Sequence, residues 1–159
     1  MRWPISDKLH FKNSKIIGKK VGCTNKEAQK QINVDEPFYG NIFSTFSSKN
    51  NSFLKRHDFL NPFIEPEFSF KIKNEFSMKT APYSAPFPFT INEVYESIDT
   101  LLPSVEIVDS RFKDWTKVGI NNLIADNGVN AHWIFGEENN NIDKFNLSNY
   151  SVNLSINNN

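Results

Sequence analysis

The chain has 159 residues, with 18 Lys and Arg against 18 Asp and Glu, and therefore no formal net charge. This length suits one domain of about 100–150 residues, and the lack of a basic excess argues against a general binder of nucleic acids or anionic membranes. The single cysteine, Cys23, excludes an intrachain disulfide and a zinc site built from several cysteines. We expect a cytoplasmic protein, because a lone cysteine suits a reducing compartment and no stretch predicts a membrane span or a secretory signal.

The N-terminal part of the chain predicts a strand followed by a short helix. Residues 14–23 predict a short strand interrupted by glycine, and a glycine inside a strand often marks a bulge or a close backbone approach. Thr24 and Glu27 have capping-box spacing, which predicts a helix over about 25–32. Basic residues dominate this part of the chain, and we favour a solvated face over a transit peptide. Turn residues then predict loops over 34–40 and 47–51. The apolar residues of 41–46, between these loops, predict a strand or a buried loop.

The middle of the chain contains the clearest strand pattern. Residues 64–73 alternate between apolar side chains and charged or small polar ones, which is the period of two of a β-strand. The prolines of 74–89 predict a loop. We therefore expect one long strand followed by a surface loop.

A second helix is predicted after this loop. Thr90 and Glu93 form another capping box, and the apolar spacing from Val94 to Leu102 is helical. Pro103 is expected to end this helix, because the residue before a proline disfavours the helical conformation. The remaining predicted elements are a short apolar strand, a short helix and a final strand: 105–108, 119–127 and 131–135.

Three carboxylates are candidates for a metal site. Glu65 and Glu67 lie two positions apart on the predicted strand, so their side chains leave the same face. Glu106 lies in an apolar strand, where a solvated carboxylate is not expected. Neighbouring carboxylates repel one another unless one takes a proton or a cation binds, and Mg²⁺ prefers oxygen ligands. A Glu-x-Glu pair is also typical of the solvated face of a strand, so the pattern alone leaves both interpretations open.

Five segments follow one another in a characteristic order: Gly18–Thr24, Val34–Gly40, Glu65–Phe70, Leu102–Trp115 and Ala125–Gly128. The Glu-Pro-Glu and Glu-Ile-Val-Asp-Ser-Arg sequences within them are the most specific. Over about residues 16–136 the chain resembles the 2-keto-4-pentenoate hydratase and 4-oxalocrotonate decarboxylase family of the fumarylacetoacetate hydrolase superfamily. The resemblance implies an α+β fold, a fumarylacetoacetate-hydrolase-like mixed β-sandwich roll with short outer helices and an incomplete sheet.

The resemblance also implies roles for individual residues. Lys20 is implied as the active-site lysine, although taken alone it could be a surface lysine beside Lys19. Its ammonium group would add electrostatic stabilisation or move a proton. Asp109 and Arg111 could contact the substrate, or they could form a structural salt bridge. The implied ligands of Mg²⁺ or Mn²⁺ are Glu65, Glu67 and Glu106.

The activity implied by the resemblance is that of a divalent-metal-dependent lyase acting on 2-oxo-alkenoates or their 2-hydroxydienoate enols, as in the catabolism of aromatic compounds. A hydratase is expected first, a 2-oxo acid decarboxylase second and an acylpyruvate hydrolase third. Many hydratases of the family carry an Asp for acid–base steps directly after the proline of the Asp-Glu-Pro loop. Phe38 occupies this position here and cannot transfer a proton, so we expect weak hydratase turnover.

The organisation implied by the resemblance is one partial domain over 1–159, with poorly ordered or truncated ends at 1–13 and 140–159. The expected partners are a small 2-oxo acid substrate and either further copies of the chain or a decarboxylase–hydratase complex, with no nucleic acid and no membrane. The alternative from another class is a catalytically inactive remnant, or a subunit that acts only in assembly with a complete partner.

Overall fold

The computed structural model describes residues 13–73, 89–141 and 147–157, and these ranges form six strands and three short helices. The strands are β1 (Ile16–Gly22), β2 (Phe38–Phe43), β3 (Ser47–Lys49), β4 (Phe63–Ile72), β5 (Ile98–Val108) and β6 (Asn130–Phe135). The helices are α1 (Lys26–Gln31), α2 (Ile91–Ser97) and α3 (Ile120–Ala125). Short 3-10 turns occur at Ser44–Phe46, Arg56–Asp58, Trp115–Lys117, Asn127–Val129 and Leu147–Asn149. Within these ranges no helix has the length and apolar character needed to cross a membrane.

The strands form two sheets, which confirms a mixed fold of strands with few helices. β1 and β2 pair antiparallel, with Lys20 opposite Gly40 and a register shift between Ile16 and Gly18. The four-stranded sheet has the order β3-β6-β5-β4, and β3 runs parallel to β6. The predicted glycine-interrupted strand at the N-terminal side is therefore confirmed as β1 with its irregularity.

The chain divides into two compact units. The first comprises Met1–Glu65 and Val105–Phe135, and the second comprises Pro66–Ser104 and Gly136–Asn159. The first unit has a buried apolar core formed by Ile32, Val108, Leu123 and Val129. Partly buried side chains pack against this core: Cys23, Val34, Phe38, Trp115 and Val118. In the second unit Phe68 and Leu147 pack on a smaller core: Ile98 and Leu101. The predicted single partial domain and its predicted end segments stay predictions.

The cap of α1 differs from the predicted one. Asn25 is the N-cap, with an extended backbone, and its side-chain oxygen accepts a hydrogen bond from the Ala28 N–H at 2.8 Å. The helix is present where it was predicted, but the capping box from Thr24 to Glu27 is wrong. Asn is as good an N-cap as Thr, so adjacent candidates cannot be ranked from the sequence.

The second predicted helix is shorter than its apolar spacing suggested. The capping box of Thr90 and Glu93 is confirmed, but α2 ends at Ser97 and the apolar residues beyond it belong to β5. Short apolar runs fit a buried strand as well as a helix, and β5 is buried along most of its length. Pro103 therefore lies inside a strand, where its carbonyl oxygen accepts a hydrogen bond from the Gly136 N–H at 2.8 Å.

Two of the predicted loops contain strand residues. β2 begins at Phe38, within the loop predicted over 34–40, and β3 occupies part of the loop predicted over 47–51. β3 is short and polar, so it has no hydrophobic period to reveal it. The other predicted elements are confirmed as β4, α3 and β6, although the apolar residues of β4 at Ile64, Phe70 and Ile72 are exposed. The loop predicted over 74–89 lies outside the described residues except for its last position.

A close backbone approach joins β2 to the turn before β6. The Asn127 side chain accepts a hydrogen bond from the Asn41 N–H at 2.7 Å and donates one to the Asn41 carbonyl at 2.8 Å. A Cβ atom on Gly40 would lie 2.3 Å from the Asn127 carbonyl oxygen. Real Cβ atoms do not approach backbone this closely, so only glycine fits at this position of β2.

We predict that Gly40→Ala destabilises the protein, because the new methyl group forces β2 away from the turn. Overpacking of this kind typically costs about 1–3 kcal/mol. The matched control is Gly18→Ala in β1, whose added Cβ would have its nearest neighbour, Ile42 Cδ1, at an ordinary 3.5 Å. Urea denaturation followed by circular dichroism measures both variants, and equal transition midpoints for the two would contradict the prediction.

Candidate metal centre

The structure brings the three predicted metal ligands together. Glu65 and Glu67 lie on β4, and Glu106 lies on β5, its neighbour in the four-stranded sheet. One carboxylate oxygen from each residue lies within 4.8 Å of the other two. The strand alternation left a solvated face and a metal site both open, and the resemblance implied these three ligands; the role of the cluster as a metal site stays a proposal.

The two carboxylate oxygens of Glu106 have different surroundings. The residue is 1% exposed, and its Oε1 forms an ion pair with Lys20 Nζ at 3.1 Å and accepts a hydrogen bond from Asn130 Nδ2 at 2.9 Å. Its Oε2 is buried and has no hydrogen-bond partner within the described parts of the chain. A buried polar atom without a partner costs free energy, and more so on a charged group.

These residues fit a hard divalent cation. All three clustered side chains offer oxygen, which is the donor that Mg²⁺ and Mn²⁺ prefer. A cation at the cluster would give Glu106 Oε2 a partner, which no described residue provides, and it would offset the repulsion among the carboxylates. The resemblance therefore named residues whose geometry suits the implied metal.

Lys20 is buried beside this cluster, whereas Lys19 is exposed. Lys20 is the one buried residue of β1, and its side chain forms the ion pair with Glu106. Two glycines leave room for it: a Cβ on Gly128 would lie 3.1 Å from Lys20 Cε, and one on Gly22 would lie 3.5 Å from Lys20 Nζ. Lys19 instead donates a hydrogen bond to the Asn41 side chain at the surface. The alternative of a surface lysine therefore applies to Lys19 and not to Lys20.

The local electrostatics raise two pKa values. Partial burial of the carboxyl group raises the pKa of Glu65 above its ordinary value, the negative charge of Glu106 raises it further, and Lys20 opposes both. Burial likewise raises the pKa of the Cys23 thiol, with Lys20 lowering it and Glu65 raising it. Cys23 is half-buried and packs on the core, so the structure agrees with a small core side chain at this position.

Asp109 and Arg111 bond to the protein itself. The Asp109 carboxylate accepts hydrogen bonds from the Leu60 and Asn61 N–H groups, each at 2.7 Å. Arg111 forms a salt bridge with Asp126 and donates from Nη1 to the carbonyls of Asp109 at 3.1 Å and Asn130 at 3.3 Å. Their assignment as substrate contacts stays a prediction, and the salt-bridged alternative is the one that the described contacts favour.

Asn130 is a residue of the centre that the sequence did not reveal. It is 6% exposed, begins β6 and donates directly to a predicted metal ligand. It belongs to none of the quoted segments, and a buried Asn has no periodic signal. Its partner Glu106 is 24 positions away, so only the assembled sheet brings them together.

Phe38 lies at the edge of the centre and contributes no proton-transfer group. A Cβ on either Gly22 or Gly128 would lie 3.3 Å from its ring, and the ring packs against the core of the first unit. Phe38 also lines a groove of about 600 Å³ together with neighbouring loop residues and Ile120 and Ile124 of α3. The three clustered carboxylates are not among the residues lining this groove.

The fold and the centre together define a mixed chain of strands and short helices with a candidate oxygen-ligand metal site. No family model matches the chain. It is 28% identical over 152 residues to 4-oxalocrotonate decarboxylase of Pseudomonas sp. (strain CF600), covering 96% of this chain and 54% of that protein. It is 27% identical over 122 residues to TodF product hydratase of Pseudomonas putida, and this match covers 77% of this chain and 42% of that protein.

A solved structure of a 4-oxalocrotonate decarboxylase is also similar to this chain. The structure of 4-oxalocrotonate decarboxylase from Pseudomonas putida G7, complexed with magnesium and adipate, matches with a TM-score of 0.73 at 27% identity and covers 91% of this chain and 52% of that one. The resemblance drawn from the sequence motifs is thus confirmed. The chain spans about half the length of the curated relatives it matches.

We predict that Glu65→Gln stabilises the metal-free protein near neutral pH, because Gln lacks the charge that burial and Glu106 disfavour. A raised carboxyl pKa means that the folded state binds the proton more tightly than the unfolded chain. The resulting penalty is complete above the folded-state pKa and is lost as the pH falls through the ordinary value of about 4.3. The gain in unfolding free energy should therefore vanish in acid.

Urea denaturation in buffer with EDTA, at about pH 7 and again below about pH 4, measures this effect. Glu36→Gln, at an exposed carboxylate outside the cluster, is the matched control for the loss of one carboxyl group. A Glu65→Gln protein less stable than wild type at the higher pH would show that the charge is favourable in the folded state.

Proposed function

We propose that the chain belongs to a divalent-metal-dependent lyase that acts on 2-oxo-alkenoates or 2-hydroxydienoates. The observation that carries the proposal is the buried Glu106. One of its oxygens is paired to Lys20, and the other has no partner among the described residues and lies beside Glu65 and Glu67. Relatives named 2-keto-4-pentenoate hydratase and 2-hydroxyhexa-2,4-dienoate hydratase, together with the decarboxylase structure bound to magnesium, support the same substrate class. The finer fold that goes with it is the fumarylacetoacetate-hydrolase-like roll.

In this proposal Glu65, Glu67 and Glu106 hold the Mg²⁺ or Mn²⁺ ion. When bound, the ion would supply Lewis-acid polarisation of the adjacent carboxylate and keto oxygens of a 2-oxo acid. Lys20 places an ammonium group 3.1 Å from Glu106 Oε1. There it can stabilise enolate charge and hold or deliver a proton.

In this proposal a hydratase and a decarboxylase would use the same metal ligands and lysine. Phe38 is therefore the position that bears on the choice between hydration and decarboxylation. Hydration needs a proton donor and a positioned water, and the Phe38 ring supplies neither. Enol-to-keto conversion of a 2-hydroxydienoate needs less than hydration, and decarboxylation does not require the added water. Decarboxylation is therefore the second candidate, and the decarboxylase relatives favour it. Acylpyruvate hydrolysis and an inactive assembly subunit are the remaining alternatives.

The wider setting follows from the same relatives. We propose a small 2-oxo acid as the substrate and a cytoplasmic location. Relatives of both kinds, decarboxylases and hydratases, support a homo-oligomer or a decarboxylase–hydratase complex as the working assembly.

We predict that the protein binds Mn²⁺ and Mg²⁺ and that Glu106→Gln weakens this binding at least about tenfold, because the buried ligand loses its charge. The triple variant of Glu65, Glu67 and Glu106 to Gln should bind neither ion. Isothermal titration calorimetry measures the affinities, and Glu138→Gln, which removes an exposed carboxylate paired with Lys71, is the control. Unchanged binding by the triple variant would refute the site.

We predict that the chain converts 2-hydroxypentadienoate to its keto form with Mg²⁺ and hydrates it weakly or not at all. Loss of dienol absorbance with product analysis by NMR separates the two reactions, and release of CO₂ from 4-oxalocrotonate tests decarboxylation. Lys20→Met should abolish each activity found, since it removes the ammonium group. Rapid formation of the 4-hydroxy-2-oxo acid would show that Phe38 does not limit hydration.

A further inference from the structure

The orientation of the Glu106 carboxylate is fixed from one side only. Both of its polar contacts, the ion pair with Lys20 and the hydrogen bond from Asn130, end on Oε1. The glutamate and the asparagine are 1% and 6% exposed, so water does not compete for these bonds. With an ammonium group and an amide N–H on one oxygen, the other oxygen is turned away from them, has no partner among the described residues and keeps its capacity to bind a ligand.

Asn130 is in turn held by an ionic cluster in which Asp126 is buried and Arg111 is partly exposed. Its carbonyl oxygen accepts a hydrogen bond from Arg111 Nη1 at 3.3 Å. Arg111 cannot move freely, because its Nε and Nη2 donate to the Asp126 carboxylate and carbonyl, and its backbone N–H donates to Asp126 Oδ2 at 3.2 Å. Asp126 is 1% exposed and also accepts from Ser110 Oγ at 2.9 Å.

The same cluster extends to the start of β4. Arg111 Nη1 donates to the Asp109 carbonyl at 3.1 Å, and the Asp109 side chain accepts from the two backbone N–H groups of Leu60 and Asn61. This segment directly precedes β4, the strand that carries Glu65. One set of contacts thus fixes both Glu106, through Asn130, and the chain entering the strand of a second ligand.

We propose that Asn130 is a positioning residue of the metal centre, which together with Lys20 holds Glu106 Oε1 so that Oε2 faces the cation. Arg111 and Asp126 keep Asn130 in place, and Asp109 fixes the entrance to β4. The proposal rests on the proposed metal-dependent function and assigns Asp109 and Arg111 to the support of the centre rather than to the substrate.

A neutral donor suits position 130 for reasons of charge. Three carboxylates and one ammonium group, all ionised, leave the cluster with two negative charges, which a divalent cation balances. A second cationic donor would reduce this charge and weaken metal binding, whereas a carboxylate at 130 would repel Glu106. The side-chain amide provides a donor and leaves the charge unchanged.

The test is the affinity for Mn²⁺ and Mg²⁺, measured by calorimetry on the folded protein. Removing a residue that orients a metal ligand typically lowers metal affinity about 10–100-fold, and we expect this loss in Asn130→Leu, which fills the same space without a donor. Asn130→Ala is the second variant in case the leucine disturbs folding, and circular dichroism verifies the fold of each. Asn121→Leu, on the exposed face of α3, is the matched control and should bind as wild type does.

Arg111→Lys separates the two roles of the arginine. If Arg111 supports the centre through Asn130, this variant should also bind the metal more weakly. If it contacts the substrate instead, metal affinity should stay as in wild type and KM should rise, which would remove Arg111 from the proposed support.

Failure of this inference is distinguishable from failure of the proposed function. Wild-type affinity in folded Asn130→Leu and Asn130→Ala would overturn the positioning role while leaving the metal centre intact. Absence of metal binding by the wild-type chain would overturn the proposed function and the positioning role with it.

Discussion

The ion pair between Lys20 and Glu106 is the contact on which the first unit depends. Removing one such charge from water costs several kcal/mol, so neither side chain could be buried alone. The pair therefore commits β1 and β5 to fixed positions, and Asn130 of β6 adds a further donor to the same carboxylate. A pair of apolar residues would often serve stability as well or better. The buried pair leaves one carboxylate oxygen without a partner in the described part of the chain, and ligand binding explains this more readily than stability does.

The space for this pair comes from glycine. The long Lys20 side chain passes Gly22 and Gly128, and a larger residue at either position would press on it or on the Phe38 ring. Gly128 also lies in a turn where three successive residues, Asn127 to Val129, have positive φ angles between 56° and 63°. This turn contacts β2 at Gly40 and leads directly into Asn130. The strained turn and the glycines therefore together leave the space in which the lysine is buried.

Local sequence patterns pointed to the three carboxylates of the cluster. Alternation on β4 placed Glu65 and Glu67 on one face, and an acid in an apolar run marked Glu106 before any fold was known. The same kind of pattern failed where burial on both faces of β5 imitated a helical spacing. It also failed for β3, which is too short and polar to show any period.

Long-range hydrogen bonds account for most of what the sequence could not show. Asp109 bonds to backbone 48 and 49 positions away, and the pairing of Asn130 with Glu106 spans 24 positions. No local pattern carries such contacts, because the partner atoms on Leu60 and Asn61 are backbone N–H groups that every residue except proline possesses. The order of motifs located the site by resemblance, while the groups that orient it became visible only in the folded chain.

The ligands of the proposed centre differ in how firmly they are held, and this asymmetry bears on how it would work. Glu106 is buried and fixed by two donors, so it defines where a cation would lie. Glu65 lies on β4, an edge strand of its sheet, and is exposed apart from its partly buried carboxyl group. A chelating 2-oxo acid needs coordination positions that the protein leaves open, and a deep anchor with shallower ligands leaves them toward solvent. Lys20 is held beside this deep anchor by its ion pair with Glu106.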